Sequence, residues 1–175
     1  GSFIDAGKHW NGRGQGFQPP LGDNVLSFQQ APALALLESN DSKWPTGDIK
    51  KQGYRFLGYQ LGDNRKPTFL YQLNKIRVFD FPNPETDGGE FPALTRTLTV
   101  SCDTATHNLF VRAVVAENSL LINNDGTVTV DGQWTLTISG NVNKSFIRGK
   151  ELIVPVELSN KDKHHVAQIK IHYQW

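Results

Sequence analysis

The sequence predicts an all-β fold, an antiparallel β-sandwich of roughly ten strands. Three observations carry that reading. The run QGYRFLGYQLGDNRKPTFLYQLNKIRVFDFP, residues 52–82, holds seven of the fourteen Phe and Tyr residues, broken by a Gly-Asp-Asn turn and a tight Leu-Asn-Lys turn. From Leu94 to Cys102 apolar and polar residues alternate strictly. Beyond residue 119, short alternating runs are separated by turn signals every 8–12 residues, the spacing of sandwich strands. A closed β-barrel repeats short strands in the same way and is the alternative architecture.

Gly1-Ser2 reads as an expression scar, so the chain is expected to be a piece of a longer protein. Residues 3–24 are rich in Gly, Pro and Asn and hold neither period 2 nor period 3.6. They read as an ordered or semi-ordered leading segment before a single sandwich domain at 25–175. Gly12, Gly14 and Gly16 alternate there, but no Gly-Lys-Ser/Thr ending follows, so a phosphate loop is not indicated. Val25–Phe28 predicts a short strand. Ala31–Glu38 is open between strand and helical turn, with Pro32 and the Ala-Leu content on the helical side. Residues 39–51 read as a polar surface loop carrying Trp44.

Three strands are expected within 52–82, then a loop at 83–92. In the next strand Leu94, Arg96, Leu98, Val100 and Cys102 share one face, and the threonines and Ser101 share the other. Arg96 thus falls on the apolar side and requires a partner or a place at the rim. Leu109–Ala116 is a more apolar strand. Asn123-Asn124-Asp125-Gly126 and Asp131-Gly132 are hairpin turns, and the former lacks the ligand spacing of a calcium loop. Trp134, Leu136 and Ile138 alternate with polar residues, as do Ile169, Ile171, Tyr173 and Trp175. Pro155 removes a ladder donor from the run Glu151–Leu158, which predicts an edge strand.

Composition excludes several classes. Net charge is +1 with Lys and Arg scattered, so no nucleic-acid partner is expected. No apolar run is long enough for a membrane span. The single cysteine, Cys102, allows no internal disulfide, c-type haem site or multi-cysteine zinc site, and no cofactor is expected within this chain. His164 and His165 are adjacent in a KDKHH loop, and if extended they point to opposite faces, so they do not chelate one metal unless a turn, or His9 or His107, brings ligands together. No metal site is expected.

At GRGQGFQPPLGDNVLSF, YRFLGYQLGDNRKPTFLYQL and the closing IHYQW, the chain resembles a β domain of very large secreted bacterial proteins. Those proteins also carry a β-propeller similar to quinone-dependent sugar dehydrogenases, helical repeats and a c-type cytochrome domain. The more specific part of the resemblance is Gly58-Tyr59-Gln60-Leu61 followed by Arg65-Lys66-Pro67-Thr68-Phe69-Leu70-Tyr71. It implies a periplasmic or extracellular accessory module. It carries no catalytic residues over.

Catalytic candidates are thin. Cys102 and His107 could form a thiolate pair, but Cys102 continues an inward face and reads as a buried thiol. Most carboxylates fall at turns. Asp80, between Phe79 and Phe81, reads as a sheet-edge or capping carboxylate paired with Arg77 or Arg55. The ligand-binding candidates are Trp10 and Trp44, in loops, and Arg55, Tyr59 and Tyr71, on the central strands. An aromatic body with a polar tip suits stacking against a sugar ring, and equally suits capping a core. The expectation is a non-catalytic accessory module that binds carbohydrate or docks onto a neighbouring domain. The alternatives are a hydrolase or lyase using carboxylates or histidines in a cleft, and a barrel enclosing an apolar ligand.

Overall fold

The computed structural model of the chain describes residues 2–3, 21–22, 31–85 and 92–175. The rest of the leading segment, the expected strand at 25–28, and Trp10 and His9 lie outside the described residues. Within them, β1 (Ser2–Phe3) and β2 (Leu21–Gly22) form a small antiparallel pair.

Two antiparallel sheets make the sandwich. In the larger, β4 (Tyr54–Leu61), β5 (Pro67–Leu73), β6 (Ile76–Glu85) and β7 (Ala93–Cys102) form a meander. β15 (His164–Gln174) follows, then β11 (Trp134–Gly140), β10 (Val128–Val130) and β9 (Leu120–Ile122), with β14 (Ser159–Lys161) also paired to β15. The smaller sheet runs β12 (Phe146–Arg148), β13 (Glu151–Pro155), β8 (Leu109–Val115) and β3 (Leu34–Leu36). Among the described residues there is no helix and no sheet closes on itself, so the barrel alternative does not hold.

The alternation read from 94–102 sets the core. Leu98, Val100 and Cys102 of β7 face inward beside Ala167, Ile169, Ile171 and Tyr173 of β15. They meet Leu109, Val111 and Ala113 of β8 and Leu152 and Val154 of β13 from the other sheet. Two tyrosines cross between the sheets: Tyr173 donates its hydroxyl to the Ala113 carbonyl at 3.1 Å, and Tyr54 donates to the Leu34 carbonyl at 3.0 Å. Each satisfies a polar group inside an apolar interior. Burial pushes both phenols up to about 12.

One open reading is settled and two local expectations change. Residues 34–36 are strand, the alternative the sequence left open, because pairing with β8 overrides the Ala-Leu helical preference. β13 is an interior strand, between β12 and β8. Pro155 is tolerated there because β12 pairs only with Glu151, Leu152 and Ile153, so no β12 ladder bond is lost, and the Pro155 carbonyl instead accepts from the Asn143 N–H at 3.0 Å. Residues 39–51 are more than a surface loop. Trp44 folds over the outer face of the smaller sheet and is 6% exposed, packed in a second cluster with Ala35, Leu37, Phe110 and Ile153. That sheet is therefore buried on both faces, which is why Leu152, Ile153 and Val154 are all inaccessible in sequence.

The turns follow the sequence. The β5–β6 turn carries Asn74 at φ 53°. The β10–β11 connection, residues 131–133, carries Asp131 and Gly132 at left-handed φ of 54° and 67°, and the Gln133 N–H closes the turn on the Val130 carbonyl at 3.0 Å. The Asp131 carboxylate also accepts backbone N–H bonds from Glu117, Asn118 and Ser119, which hold it below the ordinary carboxylate range despite the opposing effect of burial. Asp125 accepts from the Thr127 N–H at 2.9 Å, so the Asn-Asn-Asp-Gly stretch is a hairpin turn built by its own side chains.

Candidate functional site: an aromatic cleft at the sandwich edge

The larger sheet outreaches the smaller one on the β4 side. Among the described residues, inner-face side chains of β4, β5 and β6 there meet no facing strand across their whole width, and a cleft of about 1110 Å3 opens between the sheets. One wall comes from Leu34, Ala113, Val114 and Val115. The floor comes from Phe69, Tyr71, Val78, Asp80 and Arg96. Ile49, Lys50, Arg55 and Leu57 line it toward the β4 edge.

A bulge sets which residues reach the floor. In β4, Phe56 pairs with Tyr71 and the next partner, Leu70, pairs with Gly58, so Leu57 is the extra residue. Gly58 sits at φ +111°, a conformation that favours glycine. The bulge shifts the alternation by one and brings Tyr59 onto the same face as Phe56. Two cross-strand ring pairs result: Phe56–Tyr71 with centroids 5.5 Å apart and Tyr59–Phe69 with centroids 6.5 Å apart. Both pairs are tilted, within the range of favourable aromatic contacts. Phe56 and Tyr59 remain 61% and 62% exposed, so each pair joins a sheltered ring to an open one.

Beneath the rings lies a buried ion pair. Arg96 grips Asp80 in a fork, Nε to Oδ1 at 2.9 Å and a terminal nitrogen to Oδ2 at 2.5 Å, with the two residues 7% and 4% exposed. The expectation that Asp80 pairs with Arg77 or Arg55 is overturned by strand parity. Arg77 is three residues from Asp80 and faces the opposite side, whereas Arg96 shares the inner face one diagonal step away on β7. This also answers the need of Arg96 for a partner on an apolar face. Burial works against the Arg96 charge, but the hydrogen bonds and charge of Asp80, with the Tyr173 hydroxyl, outweigh it and raise its pKa. Burial, reinforced by the Asp80 charge and opposed by Arg96, raises the Tyr71 phenol.

The candidates from the sequence divide accordingly. Tyr71 lines the cleft, and Tyr59 extends its floor outward through Phe69, whereas Arg55, in register with Gln72 and Arg77, borders the cleft at the edge strand with its side chain on the outer face. Trp44 lies on the far side of the smaller sheet. Its indole N–H donates to the Pro32 carbonyl at 2.8 Å and the Arg112 guanidinium stacks 5.0 Å from its ring, so it offers no open platform. Phe56, Phe69, Asp80 and Arg96 were not among the candidates. The signal for the first two was Gly58, since a glycine inside a strand marks a bulge and a change of face.

The remaining polar chemistry is dispersed. Cys102 is buried, and its thiol lies near the Thr106 hydroxyl and the His165 carbonyl. His164 meets Asp103 at 2.8 Å in the open, and His172 meets the Thr95 hydroxyl at 3.0 Å on the outer face of the larger sheet. Among the described residues no group of three His, Cys, Asp or Glu side chains converges as metal ligands. Comparison with family models, curated proteins and solved structures returns no match.

Proposed function

We propose that the domain is a non-catalytic binding module of a larger secreted protein, and that it holds carbohydrate in the cleft beside β4. The supporting observation is the pair of half-open aromatic contacts, Phe56–Tyr71 and Tyr59–Phe69, side by side on a sheet face left uncovered by the described residues. A pyranose ring presents an apolar C–H face that stacks on such rings, while its hydroxyls take hydrogen bonds from the polar groups around them. The Tyr71 hydroxyl stands where those bonds would form. Among the described lining residues Asp80 is the sole carboxylate, and Arg96 occupies it. That favours binding over hydrolysis by two carboxylates, which must both flank the scissile bond.

The test is affinity electrophoresis of the domain through gels containing polysaccharides. Tyr59→Ala and Phe56→Ala remove exposed rings and should leave melting unchanged while abolishing retardation. Retardation unaffected by both variants would refute this site.

A second reading has its own observation. β4 is an edge strand that exposes Phe56, Leu57, Tyr59 and Leu61, a form that accepts an added strand or a packed neighbour. Docking of a neighbouring domain predicts that Leu61→Lys weakens association with that domain in the parent chain and leaves polysaccharide retention intact.

A further inference from the structure

β4 is eight residues long, and among the described residues nothing pairs with its free edge. Its core-side face is apolar and open. Phe56, Tyr59 and Leu61 are 61%, 62% and 57% exposed. An edge strand protected against pairing is short, or turns charge toward the core side. β4 does neither. Its cation lies on the other face. Arg55 is in register with Gln72, and Gln72 with Arg77, so both arginines stand on the outer face of the larger sheet, one at the edge and one two strands in, about 10 Å apart. Both are exposed, and neither has a carboxylate within salt-bridge distance among the described residues. The surroundings keep the same sign. Residues 48–77 hold seven Lys and Arg against Asp48 and Asp63, a net charge of +5 on a chain whose total is +1, and Asp48 already stands beside Lys51 at 3.6 Å.

We infer that β4 is the docking edge for an extended acidic segment of a partner protein, which adds to the larger sheet as a further strand. This partner presupposes the docking reading of β4 given above. Main-chain hydrogen bonds along the free edge supply affinity, and alternate side chains supply specificity. An incoming strand sets one row of side chains beside Phe56, Tyr59 and Leu61 and the other row on the outer face beside Arg55. The first row must be apolar. The second must carry carboxylates, one of them opposite Arg55, which takes it through two parallel hydrogen bonds, while Arg77 adds to the positive field. The bulge at Leu57 interrupts the edge for one residue and leaves Arg55 and Phe56 on one side, Tyr59 and Leu61 on the other. The segment must span both to read the charge and the apolar face. A second copy of this chain is the poorer occupant, because pairing β4 with β4 opposes two equally basic ends.

Fluorescence polarisation with three labelled, end-capped decapeptides tests the assignment. One alternates Val with Glu, one alternates Val with Lys, and the third is the Glu peptide N-methylated at every residue. Methylation keeps the side chains and their charge but removes the main-chain donors. The expected result is that the Glu peptide binds about tenfold or more tighter than the Lys peptide, the size of one charge-assisted contact, and that methylation abolishes binding. Arg55→Gln with Arg77→Gln should remove most of that preference and leave the melting curve unchanged. Equal binding of the Glu and Lys peptides would overturn the acidic assignment and keep the docking edge. Binding of the Glu peptide that survives methylation would overturn strand addition. Dimerisation of the chain in sedimentation velocity, abolished by Leu61→Lys, would overturn the inference in favour of a second copy. Binding of none of the three would overturn the acidic strand, while the docking reading is judged separately by Leu61→Lys in the parent chain.

Discussion

Arg96→Met isolates the energetics of the cleft floor. The substitution keeps most of the aliphatic stem and removes the guanidinium, leaving the Asp80 carboxylate 4% exposed with its two charged hydrogen bonds gone. Breaking one side of a buried pair costs about 3–5 kcal/mol, because the remaining charge is neither solvated nor matched. With a denaturant slope of about 2 kcal/mol/M in urea, a loss of 4 kcal/mol moves the unfolding midpoint by about 2 M. Asp80→Leu combined with Arg96→Met removes both charges and fills the space with apolar groups. That double variant should recover most of the loss and lie within about 1–2 kcal/mol of the parent. Equilibrium urea unfolding of the four proteins at neutral pH gives the coupling energy directly. A single-variant loss under about 1 kcal/mol, or losses that simply add in the double variant, would refute the claim that the pair is desolvated and coupled.

Three further outcomes follow from the same geometry. Trp44→Ala should destabilise the domain by about 3–5 kcal/mol in urea unfolding, the range for a core tryptophan, because it empties the outer cluster and orphans the Pro32 carbonyl. Gly140→Ala should cost about 1–3 kcal/mol, since Gly140 is at φ +105° and an added Cβ would lie 2.0 Å from the Gln168 carbonyl oxygen of the paired strand. Glu151 governs an acid limb: burial raises its pKa, but hydrogen bonds from Arg112 and Arg148 outweigh that and hold it below the usual 4.5. A depressed folded pKa contributes stability that is present above the unfolded value and lost as pH falls through the folded one. Glu151→Gln should therefore lower the melting temperature near pH 7 and flatten its decline in the acid range, which differential scanning calorimetry across pH reads.

The sandwich was legible because its long strands are half-buried and write their faces into the sequence. Leu94–Cys102 and Ile169–Tyr173 gave the correct inward residues by alternation alone. The turns at Asn74, Gly126 and Asp131-Gly132 were legible because left-handed backbone favours Gly, Asn or Asp, whereas Arg65 and Lys163 also take left-handed φ. Trp44 was hidden by the opposite circumstance. It occupies a loop with no periodicity, and only the three-dimensional path of that loop over β8 and β13 reveals that the indole is covered. The partner of Asp80 depended on register between β6 and β7, set by a connection whose length does not specify it. The cleft was partly legible. Tyr59 and Tyr71 were in view, while Arg55 falls on the opposite face and the bulge at Leu57 rearranged which neighbours share a face.

The position of β15 has a consequence for how the molecule is made. It is the latest of the strands in sequence, yet it pairs with β7, β11 and β14 and so joins the two halves of the larger sheet. During synthesis the β4–β7 meander can form from neighbouring hairpins as it emerges, but its inner face waits for residues 164–174 before that sheet is continuous. Until then the apolar side of β7, with Leu98 and Val100, lies beside an open edge. Such a delay lengthens the interval in which strands can pair with the wrong chain. Nascent chains halted before residue 164 should thus be protease-sensitive through β7, and refolding should be limited by docking of this one strand.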